Sequence, residues 1–357
     1  MTPEDLRAAV AAGILDEAQA ARLTTLVTDR AGQRAAMPQE DEPFEFFRGF
    51  AEIFISIGLI ILLTGVAMAL AGFGSEGFLM WVPLIASGIA WWWAGYFTLR
   101  RRMILPSIVL ASAFGAGVCS FAFILLENAN TSDRVTAIAT FLIPTFGMLL
   151  WYRRFRLPFA AFLTGLFTLG AIYAFTATTA NVEALAFGGG DGFDTLFNLQ
   201  ESPAFATATL VFGIGMFVAG MWFDMRDPHR LGRYSATAFW CHLLAAPALV
   251  NTVAITLLGA DGGGVPLLSL ALLVITVLAL VIDRRSFLTA AIVYIAVVIA
   301  WFAGDSDNFG SWVFIVLALG TLITAIGTWW VQLRAAVMAA LPDFPGKSRL
   351  PPYTSTE

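Results

Sequence analysis

Long hydrophobic runs alternate along the chain with short polar segments that are rich in arginine. A helix needs about 20 apolar residues to cross the hydrocarbon core of a bilayer, and ten such runs follow one another between residues 50 and 331. The ten runs cover residues 50–72, 78–98, 103–126, 135–152, 157–178, 203–223, 236–258, 265–282, 286–303 and 311–331. The pattern predicts an all-α, polytopic membrane protein with ten transmembrane helices.

The arginines are concentrated at one end of these runs. A Trp-Tyr pair followed by basic residues, as at 151–156, is typical of a helix that meets the headgroup layer and turns back. With the N-terminus in the cytoplasm, every one of the 20 Lys and Arg residues except Arg134 falls on the cytoplasmic side, whereas Asp191 and Asp307 fall on the other side. This segregation follows the positive-inside bias. It predicts that both termini are cytoplasmic, in a multi-pass protein of the bacterial inner (plasma) membrane.

Composition leads to the same class of protein. Hydrophobic residues make up 59% of the chain and charged residues 13%, with 31 Phe and 11 Trp. A water-soluble surface cannot be assembled from so few charged side chains. The lipid bilayer is therefore the first expected partner.

The first 33 residues form the only stretch with the pattern of a soluble helical hairpin. Thr2 is a candidate helix cap, Gly13 a candidate helix end, and Asp16 a candidate cap for a second helix. The apolar positions of this hairpin predict a contact between its two helices or a dimer seam. These positions are Leu6, Val10, Ile14, Leu23, Leu26 and Val27. The hairpin is thus expected either to bind a cytoplasmic protein or to self-associate. Nucleic acid is not an expected partner, because residues 1–49 carry five Arg against nine acidic residues.

Two further segments flank the ten spans. Residues 34–49 are expected to form an acidic linker that ends in an interfacial, phenylalanine-rich stretch, and residues 50–331 the transmembrane domain. Residues 332–357 begin as a helix continuation and become proline-rich. They predict an extended cytoplasmic tail.

The N-terminal segment contains a Gly-Ile-hydrophobic motif at Gly13, Ile14 and Leu15, followed by Gln19 and Ala20, ahead of many apolar spans. In this motif the chain resembles a family of uncharacterised bacterial polytopic membrane proteins, which carry a domain of unknown function. It covers about the first thirty residues. It implies the same architecture, a cytoplasmic helical hairpin before a multi-span region, and it brings no activity with it.

Within the spans, His242 and Asn251 are the candidate functional polar residues. His242 lies about 9 Å into the seventh span, and Pro247 and Asn251 follow on the same helix. An ionisable residue inside a membrane is a functional hypothesis, and Pro247 frees backbone carbonyls nearby. The alternative is a histidine that donates a hydrogen bond in helix packing. Glu52, close to the cytoplasmic interface, is expected to be a structural anchor.

Motifs that specify a reaction are missing from the sequence. It contains no phosphate-binding loop, no dinucleotide fingerprint and no zinc-protease motif, and its two cysteines and two histidines are not spaced as metal ligands. We therefore expect no enzymatic activity, no cofactor and no metal.

Two functional classes fit these observations. In the first, the protein is a membrane-embedded scaffold or sensor whose N-terminal hairpin makes a protein contact. In the second, it is a small-solute transporter with a five-plus-five helix organisation. Because the spans are poor in charge, the substrate of such a carrier is expected to be uncharged or lipophilic.

Overall fold

The computed structural model describes residues 49–351 except 179–195, 229, 231, 260–263 and 304–308, together with short stretches between residues 9 and 26. All regular secondary structure in this described part is helical. Apart from the single turn Glu76–Leu79, the helices described between residues 50 and 340 are α1 (Phe50–Phe73), α2 (Val82–Ala94, continued by the π-helix Gly95–Arg100), α3 (Ile104–Asn128), α4 (Asp133–Phe155), α5 (Phe159–Thr176), α6 (Pro203–Asp224), α7 (Arg233–Leu258), α8 (Gly264–Ile282), α9 (Ser286–Ala303), α10 (Phe309–Thr328) and α11 (Trp330–Ala340).

The multi-pass helical architecture is confirmed. Among the described residues, eight helices are long and apolar enough to cross a bilayer, and the bent pair α10 and α11 gives a ninth if it is counted as one crossing. The apolar part of α9, Ser286–Ala300, is shorter than these spans. The number of ten crossings and the side of each terminus stay predictions.

The end of the chain differs from the extended tail that its prolines predict. The chain bends by 71° between α10 and α11, and a 3₁₀ turn follows at Lys347–Arg349. Met338 and Leu350 are buried, and Arg334 of α11 donates a hydrogen bond of 2.7 Å to the carbonyl of Pro351. Buried apolar side chains and this hydrogen bond hold the described part of the tail, up to Pro351, against the helix ends.

Two hydrophobic cores lie in the two halves of the helical domain. The first joins α1 to α5 around the buried ring of Trp151, which packs at a tilt against Phe114 and Phe155 at centroid distances of 4.9 and 4.6 Å. The second joins α7, α8, α9 and α11 around residues such as Leu268 and Phe287. The halves meet where α5 packs against α6 and α7.

The helix ends on the arginine-rich side are held by specific contacts. Glu52 of α1 accepts the backbone N–H groups of Ile104 and Leu105 at 3.0 and 3.1 Å, so its carboxylate caps the start of α3. Glu52 thus joins the start of α1 to the start of α3, as expected for a structural anchor. The reversals after α4 and α8 contain non-glycine residues in the left-handed region, Arg156 at φ 55° and Asp283 at φ 58°.

The described pieces of the N-terminal hairpin confirm its predicted local signals. Gly13 has φ 69°, and the N–H of Ile14 bonds back to the carbonyl of Ala9 at 3.0 Å, as in a glycine-terminated helix. Asp16 and Gln19 then exchange backbone-to-side-chain hydrogen bonds of 3.0 and 2.6 Å, which is a reciprocal capping box. Thr2, Leu6 and Val27 lie outside the described residues.

Candidate functional site

Ionisable side chains and one tryptophan from five parts of the chain meet between the arginine-rich ends of the C-terminal helices. Together they form what we call the ionic cluster. Its members are Asp224 at the end of α6, Arg230 between α6 and α7, His242 in α7, Asp283 and Arg284 between α8 and α9, and Trp330 and Arg334 of α11. All seven side chains are buried. Charge at such depth is stable only when it is paired and hydrogen-bonded.

Asp224 is the centre of one half of the ionic cluster. The guanidinium of Arg284 binds it in a two-pronged manner, with Nε donating to Oδ2 at 3.1 Å and a terminal nitrogen donating to Oδ1. Arg284 also donates to the backbone carbonyl of Ser235 at 3.1 Å. His242 donates from Nε2 to the same Oδ2 atom at 3.0 Å, because a carboxylate that is shared with an arginine can only accept. The three side chains thereby tie together α6, α7 and the turn before α9.

His242 is packed on its remaining sides. Its imidazole is completely buried and lies against the rings of Phe217 and Phe287 at centroid distances of 5.6 and 5.9 Å. Among the described residues, its Nδ1 atom has no hydrogen-bond partner. Gly220 of α6 lies so close that a Cβ at this position would be 2.7 Å from the imidazole ring. The histidine therefore fits only because α6 has a glycine there.

This close approach gives a testable prediction. Replacing Gly220 by alanine should displace His242 from Asp224 and lower the free energy of unfolding by about 1–3 kcal/mol, the usual cost of overpacking a core. The matched control is Gly215→Ala on the same helix, where a Cβ would meet nothing within 4 Å. That control should be neutral or slightly stabilising, since alanine favours helix over glycine by up to about 1 kcal/mol. Unfolding in mixed detergent micelles measures both variants, and equal stability of the two would contradict the packing.

Asp283 is the centre of the other half. Arg230 donates to its carboxylate at 2.9 Å and to its backbone carbonyl at 2.5 Å, and the indole N–H of Trp330 donates to Oδ1 at 2.6 Å. Arg334 lies 3.9 Å from the same oxygen and donates to the carbonyl of Leu280 at 3.0 Å. These contacts tie α11 and the loop before α7 to the turn between α8 and α9.

The ionic cluster links the ends of several helices through hydrogen bonds and ion pairs. Both carboxylates accept several hydrogen bonds, and each links elements that are distant in sequence. Among the described residues, no group of three or more His, Cys, Asp or Glu side chains is placed to hold a metal ion. A buried ion pair contributes little net free energy to stability, but removing one partner from such a pair typically lowers the free energy of unfolding by about 3–5 kcal/mol. The cluster therefore acts mainly by making other arrangements of these helix ends unfavourable.

The structure separates the two candidate residues of the sequence. His242 belongs to the ionic cluster, whereas the side-chain oxygen of Asn251 accepts a hydrogen bond from the hydroxyl of Tyr294 on α9 at 3.2 Å. The two residues are nine positions apart on α7, which corresponds to a rise of about 13 Å. They do not share a contact in the described part of the chain, and a joint functional role for His242 and Asn251 stays a prediction.

Sequence reasoning missed the acidic partners of the cluster. Asp224 and Asp283 stand beside arginines in the segments 221–227 and 280–285, which the hydrophobic pattern marks only as headgroup-facing ends. The available signal was that each of these basic ends also contains an aspartate at the edge of its apolar run. An acidic residue there adds nothing to the positive-inside bias, so it needs a structural reason.

Comparison of the chain with protein-family models, with curated proteins and with solved structures found no match. The resemblance of the N-terminal segment to a family of bacterial membrane proteins accordingly stays a prediction.

Proposed function

We propose that this chain is a ten-span protein of the bacterial inner membrane, with both termini in the cytoplasm, that serves as a membrane-embedded scaffold or sensor. In this proposal the helical domain is a rigid base. The N-terminal hairpin, carried on the acidic linker, makes the contact with a cytoplasmic protein.

The packed ionic cluster is the observation that carries the proposal. A carrier that moves a solute or a proton through its interior needs polar groups that face a water-filled path. Here His242, the ionisable residue deepest in the apolar part of α7, is completely buried and bound to a carboxylate that Arg284 also holds. These polar groups bond to one another and to backbone carbonyls, which favours a fixed base over a moving one.

The hairpin supplies the contact surface in this proposal. Ile14 is 75% exposed and Leu26 is 47% exposed, although both belong to the apolar set that predicts a helix contact. Single exposed apolar side chains are common on protein surfaces, whereas a contiguous apolar patch marks an interaction site; in this proposal Ile14 and Leu26 belong to one such patch. The occupant we propose is a cytoplasmic protein, and a second copy of the chain is the alternative outcome.

A photo-crosslinking experiment in intact cells tests this contact. A photoreactive amino acid at Ile14 should give one discrete adduct, whereas the same label at Arg22, an exposed polar position of the second helix, should give little. An adduct with the mass of two chains would identify self-association instead of a separate partner. If neither position gives an adduct while the protein is expressed and inserted normally, the scaffold proposal fails.

One observation favours the transporter as the second candidate. An apolar groove of about 410 Å³ runs between α7 and α8, and it is lined by residues such as Leu249, Val253, Leu270 and Val274 together with Phe287 of α9. Its lining suits an uncharged or lipophilic molecule, the substrate class expected for a five-plus-five carrier. The substitutions of His242 described below distinguish this candidate from the scaffold.

A further inference from the structure

A second groove lies on the arginine-rich side, at the end of α4. Its volume is about 830 Å³, and its walls are Phe146, Leu149, Leu150, Tyr152, Arg153 and Arg156 at the end of α4 and Arg233 at the start of α7. The groove is separate from the ionic cluster, because none of its lining residues belongs to that cluster. It combines a basic end with an apolar wall.

The apolar wall and the basic end share one face of α4. Phe146, Leu149, Leu150 and Arg153 follow the i, i+3, i+4, i+7 spacing that places residues on one side of a helix. The three apolar side chains are exposed, Phe146 to 64%, and the wall extends about 10 Å from Arg153 towards the middle of the span. This face has the polarity profile of a lipid molecule, charged at one end and apolar along its length.

The three arginines of the groove carry charge that the protein itself does not neutralise. Arg153, Arg156 and Arg233 form no ion pair with a carboxylate among the described residues. Arg233 donates a long hydrogen bond, 3.4 Å, to the hydroxyl of Tyr234 and lies 5.1 Å from the centroid of that ring, and neither contact neutralises its charge. The nearby carboxylate of Asp227 accepts the backbone N–H groups of Gly232 and Ser235. The groove therefore presents guanidinium groups, which match phosphate geometry better than an ammonium group does.

The groove is held in shape by a contact between its two sides. The hydroxyl of Tyr152 on α4 lies 3.2 Å from the hydroxyl of Thr237 on α7. The ring of Tyr152 also packs against Phe223 of α6 at a centroid distance of 6.5 Å. Because the two helices are bonded to each other, the backbone positions that carry the three arginines are fixed relative to one another in the absence of a ligand.

We infer that this groove binds one anionic phospholipid, with its phosphate between Arg153, Arg156 and Arg233 and an acyl chain along Phe146, Leu149 and Leu150. The inference rests on the proposed orientation for its choice of leaflet, the cytoplasmic one. A soluble phosphate would contact the arginines but not the apolar wall that continues from them along α4. A zwitterionic lipid would contact the apolar wall, but its headgroup would bring a positively charged ammonium group close to the three arginines.

The test is the selectivity of the purified full-length protein for spin-labelled lipids in phosphatidylcholine vesicles. Wild type should associate with spin-labelled phosphatidylglycerol several-fold more strongly than with spin-labelled phosphatidylcholine. The triple variant Arg153→Gln, Arg156→Gln, Arg233→Gln should lose most of this preference, since even one basic residue near an anionic headgroup contributes about fivefold. The matched control, Arg100→Gln, Arg102→Gln, Arg154→Gln, removes the same charge from exposed arginines outside the groove and should keep the preference.

Each other outcome overturns the inference. An unchanged preference in the triple variant would show that the groove is not the site, and an equal loss in both variants would show a diffuse charge effect. Competition by inorganic phosphate at constant ionic strength would assign the groove to a soluble anion. Helix content by circular dichroism verifies that both variants are folded. Both leaflets of the vesicle contain the same lipids, so this result does not depend on which side of the membrane the termini occupy. Accessibility labelling tests the proposed orientation of the chain separately.

Discussion

Replacing Asp224 by alanine is expected to lower the free energy of unfolding by about 3–5 kcal/mol, or to prevent accumulation of folded protein. The variant leaves Arg284 buried without the carboxylate that it binds through two nitrogens, and it removes the acceptor of His242. The measurement is unfolding by denaturing detergent in mixed micelles, together with the yield of monodisperse protein.

Two comparisons show whether this loss comes from the buried ion pair. Asp224→Leu combined with Arg284→Met removes both charges, so it should be less destabilising than Asp224→Ala alone, since apolar residues of similar volume often replace a buried pair at little cost. Asp343→Ala breaks an ion pair of 3.4 Å with Lys347 in which the aspartate is fully exposed, so it should have no measurable effect. A double variant that is less stable than Asp224→Ala would show that the cluster contributes more than relief from an unpaired charge.

Replacing His242 by leucine is expected to cost about 1–3 kcal/mol, because the Asp224 carboxylate then loses one buried donor. His242→Gln retains an N–H donor and should recover most of this loss. Both are measured by the same detergent titration.

The same pair of substitutions separates the scaffold from the carrier. Glutamine does not titrate near neutral pH, so a proton-coupled carrier should lose its pH-dependent activity in His242→Gln while it is expressed and folded normally. A scaffold should retain crosslinking from Ile14 in this variant at the wild-type level. Loss of that crosslink in well-folded His242→Gln would contradict the view of the histidine as a structural part of the base.

The helices were predictable because their signal is local. Apolar length and the residues at each end suffice to place a membrane helix, and each of the ten predicted runs overlaps one of α1 to α10. The capping box at Asp16 and the helix end at Gly13 are equally local, since they depend on residues three to five positions apart.

The ionic cluster was not predictable because its contacts are distant in sequence. Asp224 and Arg284 are 60 residues apart, and Trp330 and Asp283 are 47 residues apart. Hydrophobic patterning assigns a depth in the membrane to each residue but does not say which helices are neighbours. The fold of the tail was missed for the same reason, because Arg334 and the carbonyl of Pro351 come together only after the bend between α10 and α11.

The number of membrane crossings is the central prediction for this chain, and single-cysteine accessibility measures it by showing on which side of the membrane each position lies. The native thiols Cys119 and Cys241 are first replaced by serine and alanine. A cysteine is then placed at Arg154, Asp191, Asp307 or Ser355, and a membrane-impermeant thiol reagent is applied to spheroplasts and to inverted vesicles.

Positions 191 and 307 lie outside the described residues, as does 355, so the labels test predictions from the charge pattern alone. Ten crossings with cytoplasmic termini predict that positions 191 and 307 react in spheroplasts and that positions 154 and 355 react only in inverted vesicles. If position 355 reacted on the same side as position 307, α10 and α11 would not complete a crossing. If position 307 reacted on the same side as position 154, the chain would cross the membrane an even number of times between them, whereas the prediction is five. Either result would contradict ten crossings.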